Sequence, residues 1–133
     1  MNCNNIKKLK KTELKIALLL QEKSILSAKE LQLILKVDKA TIYRNLKNLI
    51  KKDAIREIKN SEGIGFYELN CKIHNPIHPH FECKICKKIY CLNPFKAEDI
   101  LNLSNYSTYT IENIEVKFKG ICNECKKTTI ISN

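Results

Sequence analysis

Ser27 to Lys52, SAKELQLILKVDKATIYRNLKNLIKK, contains two helix starts separated by a tight break. Ser27 followed three residues later by Glu30 is a capping box. It satisfies two otherwise orphaned backbone donors and predicts a helix over Ala28 to Leu35. Lys36-Val37 interrupts the pattern, and Asp38 can cap a further helix over Lys39 to Lys52. In that helix Ile42, Leu46, Leu49 and Ile50 fall at i, i+4, i+7 and i+8, so one face is apolar while Lys39, Arg44, Lys47, Lys51 and Lys52 line the other. Two helices joined by a short turn, the second basic on its outer face, form a helix-turn-helix.

Upstream, Thr12 to Gln21 carries Leu14, Ala17 and Leu18 at helical spacing, with Ile16, Leu19 and Leu20 widening the stripe, which predicts a buried helix. Downstream, Ile55 to Ile58 and Gly65 to Leu69 read as short strands joined by the turn-forming run Lys59 to Gly63. A hairpin in that place is a wing. Residues 71–80 contain two prolines and all three histidines and read as an irregular linker. Two strands are expected within Phe81 to Leu92 around the knuckle Cys83-Lys-Ile-Cys86, then a helix over Pro94 to Leu103 with Phe95 and Ile100 inward. The last strand is predicted from alternation: Glu112, Ile114, Val116 and Phe118 on one face, Asn113, Glu115, Lys117 and Lys119 on the other. The expected fold class is α+β: a winged helix-turn-helix over 1–70, a hinge over 71–80, and a small α/β domain over 81–133.

The charge is distributed as unevenly as the motifs. The 133 residues carry 24 Lys plus Arg against 14 Asp plus Glu, a net charge of +10. Residues 1–60 hold 15 basic and 6 acidic side chains, while residues 61–133 hold 9 and 8, so the excess sits with the helix-turn-helix. Concentrated positive charge suits a polyanion such as nucleic acid or an anionic membrane surface. The longest apolar run, Ile16 to Leu20, is far too short to span a bilayer, and the N-terminus has no signal-peptide pattern. A reducing cytoplasmic setting is therefore expected, where CxxC pairs favour metal thiolates over disulfides.

Of the seven cysteines only Cys3 lies in the basic half. Cys83 and Cys86, then Cys122 and Cys125, form two CxxC pairs 35 residues apart. Each such turn aims two thiolates at one point, and four soft charged ligands close the tetrahedral shell of zinc. A closed shell leaves no position for a substrate, so this site is read as structural. Glu82 and Glu124 at the knuckles lack the H-x-E context of a zinc deaminase, and no enzyme is expected. A protein-interaction module built on a zinc ribbon stays open as a reading. A second set of donors remains in Cys71, His74, His78, His80 and Cys91, with Glu57 and Glu68 nearby in sequence. His-Pro-His places two imidazoles on one side of an extended chain, a common way to supply nitrogen to a metal. A surface loop is the plain alternative for the histidines, and a small buried hydrophobe for Cys91.

The order Lys39-Ala-Thr-Ile-Tyr-Arg-Asn-Leu46, a wing, His-x-His-x-x-Cys-x-x-Cys and a final Gly-x-Cys-x-x-Cys resembles the ferric uptake regulator family of metal-responsive transcription factors. The resemblance covers roughly residues 6–127. It implies an N-terminal DNA-binding domain, a C-terminal dimerisation domain, and a regulatory metal held at the hinge of a cytoplasmic homodimer that binds a palindromic operator. Thr41, Tyr43 and Arg44 match the part of the recognition helix that touches DNA, where Tyr can press on a thymine methyl and Arg can reach a guanine edge or phosphate. Lys15 takes the place of a family arginine, and Lys10 and Lys11 precede it as phosphate or minor-groove contacts; for each lysine, Lys39 included, a solvated helix face is the plain alternative. Cys83, Cys86, Cys122 and Cys125 match the family's structural zinc ligands.

The departures set the expected effector. Ile25 stands where iron sensors carry a histidine, Cys91 replaces a carboxylate, the histidine-rich stretch is thinned to Ile77-His-Pro-His80, and Ile114 replaces another histidine. Sulfur in place of oxygen favours zinc over ferrous iron or manganese. Zinc-uptake regulators use a hinge cysteine shortly before HxH, a place Cys71 occupies. The expected regulatory set is thus Cys71, His78 and His80 with Cys91, Glu68 or Glu57, binding zinc as co-repressor of metal-uptake genes. Iron, manganese, thiol oxidation at Cys71 and Cys91, or DNA binding without regulatory metal are the alternatives.

Overall fold

The computed structural model describes residues 8–71, 75–105 and 108–131, without the side chains of 128–131. Its chain divides into two units, Met1–Asn75 and Pro76–Asn133, a boundary inside the linker 71–80.

The first unit contains helices α1 (Lys11–Lys23), α2 (Ala28–Leu35) and α3 (Lys39–Lys51), and strands β1 (Leu26–Ser27), β2 (Ile55–Lys59) and β3 (Gly65–Leu69). The Ser27–Glu30 capping box opens α2: the Glu30 N–H donates to Ser27 Oγ at 3.2 Å, and the Ser27 N–H to Glu30 Oε1 at 3.1 Å. The turn to α3 places Lys36 in the left-handed region at φ 56°. Ile42, Leu46 and Leu49 of α3 join Ile16, Ala17 and Leu20 of α1, Leu31 of α2, and Tyr67 and Leu69 of β3 in one core. Ile50, expected inward, is 40% exposed.

The buried face of α1 differs from the predicted one. Glu13, Ile16, Ala17 and Leu20 turn inward, while Leu14 and Leu18 are exposed. Glu13 is tolerated inside because Lys52, just beyond α3, reaches both carboxylate oxygens at 2.6 and 3.0 Å. This pair draws the Glu13 carboxyl below its ordinary value against the upward pull of burial, which is the larger single effect.

The sheet of this unit has the order β1-β3-β2, all neighbours antiparallel. Two-residue β1 has no sequence signature of its own; it pairs Leu26 with Tyr67 and Ser27 with Phe66. The wing between β2 and β3 is closed by Asn60, whose side-chain oxygen accepts from the N–H groups of Glu62 and Ile64 at 2.9 Å each. Gly63 at φ +81° supplies the left-handed residue this turn needs.

The second unit contains β4 (His80–Cys83), β5 (Ile89–Cys91), α4 (Ala97–Ser104), β6 (Lys117–Gly120) and α5 (Asn123–Ile131). Its sheet order is β5-β4-β6, antiparallel between β4 and β5 and parallel between β4 and β6. The predicted strand over 112–119 is realised only from Lys117, where β4 offers a partner: His80 aligns with Lys117 and Cys83 with Gly120. No side chain of α4 is fully buried, so the expected inward packing of Ile100 is only partial. Leu101, Tyr109, Ile111 and Phe118 are exposed.

Candidate metal centres and nucleic-acid interface

Helix α3 displays the residues expected to meet DNA. Lys39, Tyr43 and Arg44 are exposed, Thr41 is half-buried, and Lys15 is exposed on α1. The Lys39 ammonium lies 6.0 Å from the centre of the Tyr43 ring, which braces both side chains on the outer face. Asp38, expected to cap α3, makes no side-chain capping hydrogen bond there, though the Thr41 hydroxyl beside it draws its carboxyl below the ordinary range.

The two knuckles of the second unit converge. The sulfurs of Cys83, Cys86, Cys122 and Cys125 all lie within 4.8 Å of one another. Strand pairing does this: Cys83 ends β4 opposite Gly120 of β6, and the Lys84 N–H donates to the Gly120 carbonyl at 2.8 Å, so both turns leave the sheet at the same end. Lys87, at φ 66°, closes the first knuckle by donating its N–H to the Cys83 carbonyl at 3.0 Å.

Backbone N–H groups already point at these sulfurs. Those of Ile85 and Cys122 donate to Cys83 Sγ at 3.4 Å, and that of Cys125 to Cys122 Sγ at 3.5 Å. Burial works to raise the Cys83 thiol, but the N–H groups of Cys122, Cys86 and Ile85 overcome it and pull it down to about 6. The Cys125 N–H and the Tyr90 hydroxyl likewise draw Cys122 down. Burial and the neighbouring sulfurs push Cys125 up to about 12. Four thiolates at this spacing ionise together only around a cation, and the donor set fits a thiophilic dication.

A second group of donors lies on the other side of the same sheet segment. His80 on β4 and Cys91 on β5 are direct cross-strand partners, and ligand atoms of His78, His80 and Cys91 lie within 4.8 Å of one another. His78 is buried, its ring 4.5 Å from that of His80. Its Nδ1–H donates to the Pro76 carbonyl at 2.8 Å, so Nε2 is the nitrogen that could coordinate a metal. Two imidazoles and one thiol are thus preassembled.

The remaining expected ligands belong to the first unit. Cys71 is disulfide-bonded, so its sulfur is not the thiolate expected for a metal. Composition and spacing gave no sign of that bond. His74 also lies outside the described residues. Glu57 and Glu68 point to opposite faces of the β2–β3 hairpin. Glu57 accepts from the Tyr67 hydroxyl at 2.9 Å and sits where any Cβ at position 65 would collide with it. Burial and the Glu57 carboxylate together raise Tyr67 above the ordinary tyrosine range. Glu68 is fully buried and accepts from Arg56 Nε at 2.5 Å. Neither the Arg56 contact nor the Tyr90 hydroxyl beside Cys122 was anticipated; the first follows from hairpin register, in which Arg56 faces Glu68.

Comparison with known proteins agrees with these features. The family model of the Ferric uptake regulator family matches residues 4–119. The chain is 29% identical to Transcriptional regulator PerR of Clostridium acetobutylicum over 82 residues, 61% of this chain but only 56% of that protein's length. The Helicobacter pylori ferric uptake regulator Fur, described with three functional metal binding sites, superposes with a TM-score of 0.70 at 22% identity, covering 90% of this chain and 82% of that one. A zinc uptake regulator complexed with zinc and DNA gives a TM-score of 0.56 at 21% identity, covering 92% and 86%. Among the described residues no helix is long and apolar enough to cross a membrane.

Proposed function

The chain belongs to the ferric uptake regulator family, and on that premise we propose that it is a homodimeric, zinc-responsive DNA-binding repressor of metal-uptake genes. The four cysteines hold a structural zinc, and His78, His80 and Cys91 hold the regulatory one. Of the carboxylates expected as a fourth ligand, Glu57 accepts from the Tyr67 hydroxyl and Glu68 from Arg56 Nε, so each is already engaged within the wing.

The observation that carries the choice of metal is Cys91 directly across from His80. A thiolate beside two imidazoles prefers zinc, whereas oxygen donors suit iron and manganese. The proposed role of the bound dication is electrostatic cross-linking. Held by His78, His80 and Cys91, the dication ties the end of the linker to β5. The spacing of two recognition helices then matches the half-sites of a palindrome. Zinc favours the DNA-competent state only by its differential affinity for it. Exposed Leu101, Tyr109, Ile111 and Phe118 supply apolar surface for a dimer, and solved structures of the fold include a DNA complex.

The test is mobility shift on DNA fragments selected from the source genome, with zinc, ferrous iron or manganese added to wild type, His80→Ala and Cys91→Ser. Zinc-dependent retardation lost in both variants is expected. Equal retardation with and without regulatory metal would sink the proposal. The disulfide at Cys71 favours a second reading, in which thiol oxidation releases DNA. Peroxide-induced release that a reducing agent reverses, unchanged in Cys91→Ser but abolished in Cys71→Ser, would select it.

A further inference from the structure

Resting on the reading of the four cysteines as a structural zinc site, we propose that the Tyr90 hydroxyl is a positioning group for that metal, clasping the two knuckles together and setting how tightly they hold the ion. Every group involved lies in the second unit. Cys86 and Cys122 come from different knuckles, and their sulfurs are 3.9 Å apart. The Tyr90 hydroxyl donates to Cys122 Sγ and lies within hydrogen-bonding reach of Cys86 Sγ.

The sheet aims this hydroxyl. Tyr90 on β5 is the cross-strand partner of Phe81 on β4, which in turn aligns with Phe118 on β6, so three aromatic residues form a row across the strands. The Phe81 ring lies 6.5 Å from that of Tyr90 and reaches over Gly120, where a Cβ would come within 3.3 Å of it. The absence of a side chain at Gly120 thus lets the row close down beside the second knuckle, which begins two residues later at Cys122. Tyr90 is half-buried there, against a buried Cys122 and an exposed Cys86.

Four thiolates carry more negative charge than one dication cancels. The N–H groups of Ile85, Cys122 and Cys125 take up part of the excess at Cys83 and Cys122. Tyr90 adds a side-chain donor, and an O–H bond to a charged sulfur is stronger than one between neutral groups. It fixes the direction of the Cys122 side chain before metal arrives and eases the gathering of like charges afterwards. Both effects favour binding. Unlike the backbone donors, this one can be deleted by a substitution that leaves its ring in place.

The experiment uses the full chain in a Cys91→Ser background, which removes the thiolate of the other candidate site. Cobalt(II) loading gives a sulfur-to-metal charge-transfer absorption, and competition with a chromophoric chelator gives zinc affinity. Tyr90→Phe is expected to bind zinc about tenfold more weakly, the low end of what loss of an outer hydrogen-bond partner costs a metal site. Its charge-transfer band should move to lower energy, because a thiolate relieved of a hydrogen bond gives up an electron more readily. If the ring acts only by packing, Tyr90→Phe matches wild type in affinity and spectrum while Tyr90→Leu alone is weakened, and that pattern overturns the proposal. Tyr90→3-fluorotyrosine, a more acidic donor of nearly the same volume, should move the band to higher energy. An unmoved band there overturns the proposal even where Tyr90→Phe does not fold. A parent chain with no tetrathiolate cobalt spectrum overturns instead the reading of the four cysteines as a metal site.

Discussion

Stripping metal from the four cysteines should unfold the second unit while the first keeps its structure. The reason lies in what each unit buries. The core cluster runs from Ile16 to Leu69, entirely within the first unit. In the second, the buried apolar side chains among the described residues are Ile89, Cys83 and Cys122. Complete burial of an aliphatic chain such as Ile89 contributes about 1.5–3 kcal/mol. Ordering the backbone of β4, β5 and β6 costs on the order of 10–20 kcal/mol. Zinc bound by a structural site contributes about 10–16 kcal/mol. Metal therefore decides whether this sheet forms. Hydrogen exchange of the reduced full chain, with and without a strong chelator, reads the outcome amide by amide. The N–H groups of His80, Cys83 and Lys84, bonded to Val116, Lys88 and Gly120, should lose nearly all protection. Those within α1 and α3 should keep theirs. Surviving protection at His80, Cys83 and Lys84 after verified metal removal would refute this reasoning and assign the unit's stability to chain association.

Other expected outcomes are smaller. Ser27→Ala removes the capping-box acceptor of α2 and should cost about 1 kcal/mol in urea denaturation of the first unit. Glu13→Gln leaves Lys52 without its carboxylate and should cost about 2–3 kcal/mol at neutral pH, the rim position of Lys52 keeping the loss below that of a deeply buried pair. Because the folded Glu13 carboxyl titrates below its ordinary value of 4.5, this stabilisation is fully present above that value and disappears as pH falls through the lower folded one. Melting curves of wild type and Glu13→Gln should thus converge toward acid pH. Lys15→Ala should reduce the salt dependence of DNA binding by about one ion, with little change in sequence preference, while Arg44→Ala should weaken binding by about 1–3 kcal/mol. Titrations at several salt concentrations distinguish the two.

Where local chemistry decides structure, the sequence was readable. The Ser27–Glu30 box marks the start of α2, and its helix spans the predicted Ala28 to Leu35. Apolar spacing marks the buried side of α3 except at Ile50, and two CxxC pairs mark the cysteine cluster. Where a distant partner decides, reading failed. Glu13 looks like a solvent-facing residue until Lys52 is placed beside it, and its inward turn rotates the exposed face of α1 onto Leu14 and Leu18. Strand β1 is two residues long, too short for alternation to show. Alternation over 112–119 was present, but a strand forms only where β4 pairs with it. Helix α5 begins inside the second knuckle, at Asn123, without a recognised start signal. The cross-strand pairing of His80 with Cys91 follows from the hairpin register around the first knuckle, which spacing alone did not reveal.

Strand β4 is four residues long, with His80 at its first position and Cys83 at its last. If metal at the four cysteines holds this sheet together as predicted, a freshly synthesised chain whose cysteines are empty has no fixed strand on which to present His80 to Cys91. Its apparent affinity for effector is divided by the small fraction of time that strand exists. On the proposed reading, the protein is matured by one metal before it reports on another. Young chains would then be deaf to the signal, and the cell's supply of thiophilic metal would enter its regulation twice, once as a condition of competence and once as the message.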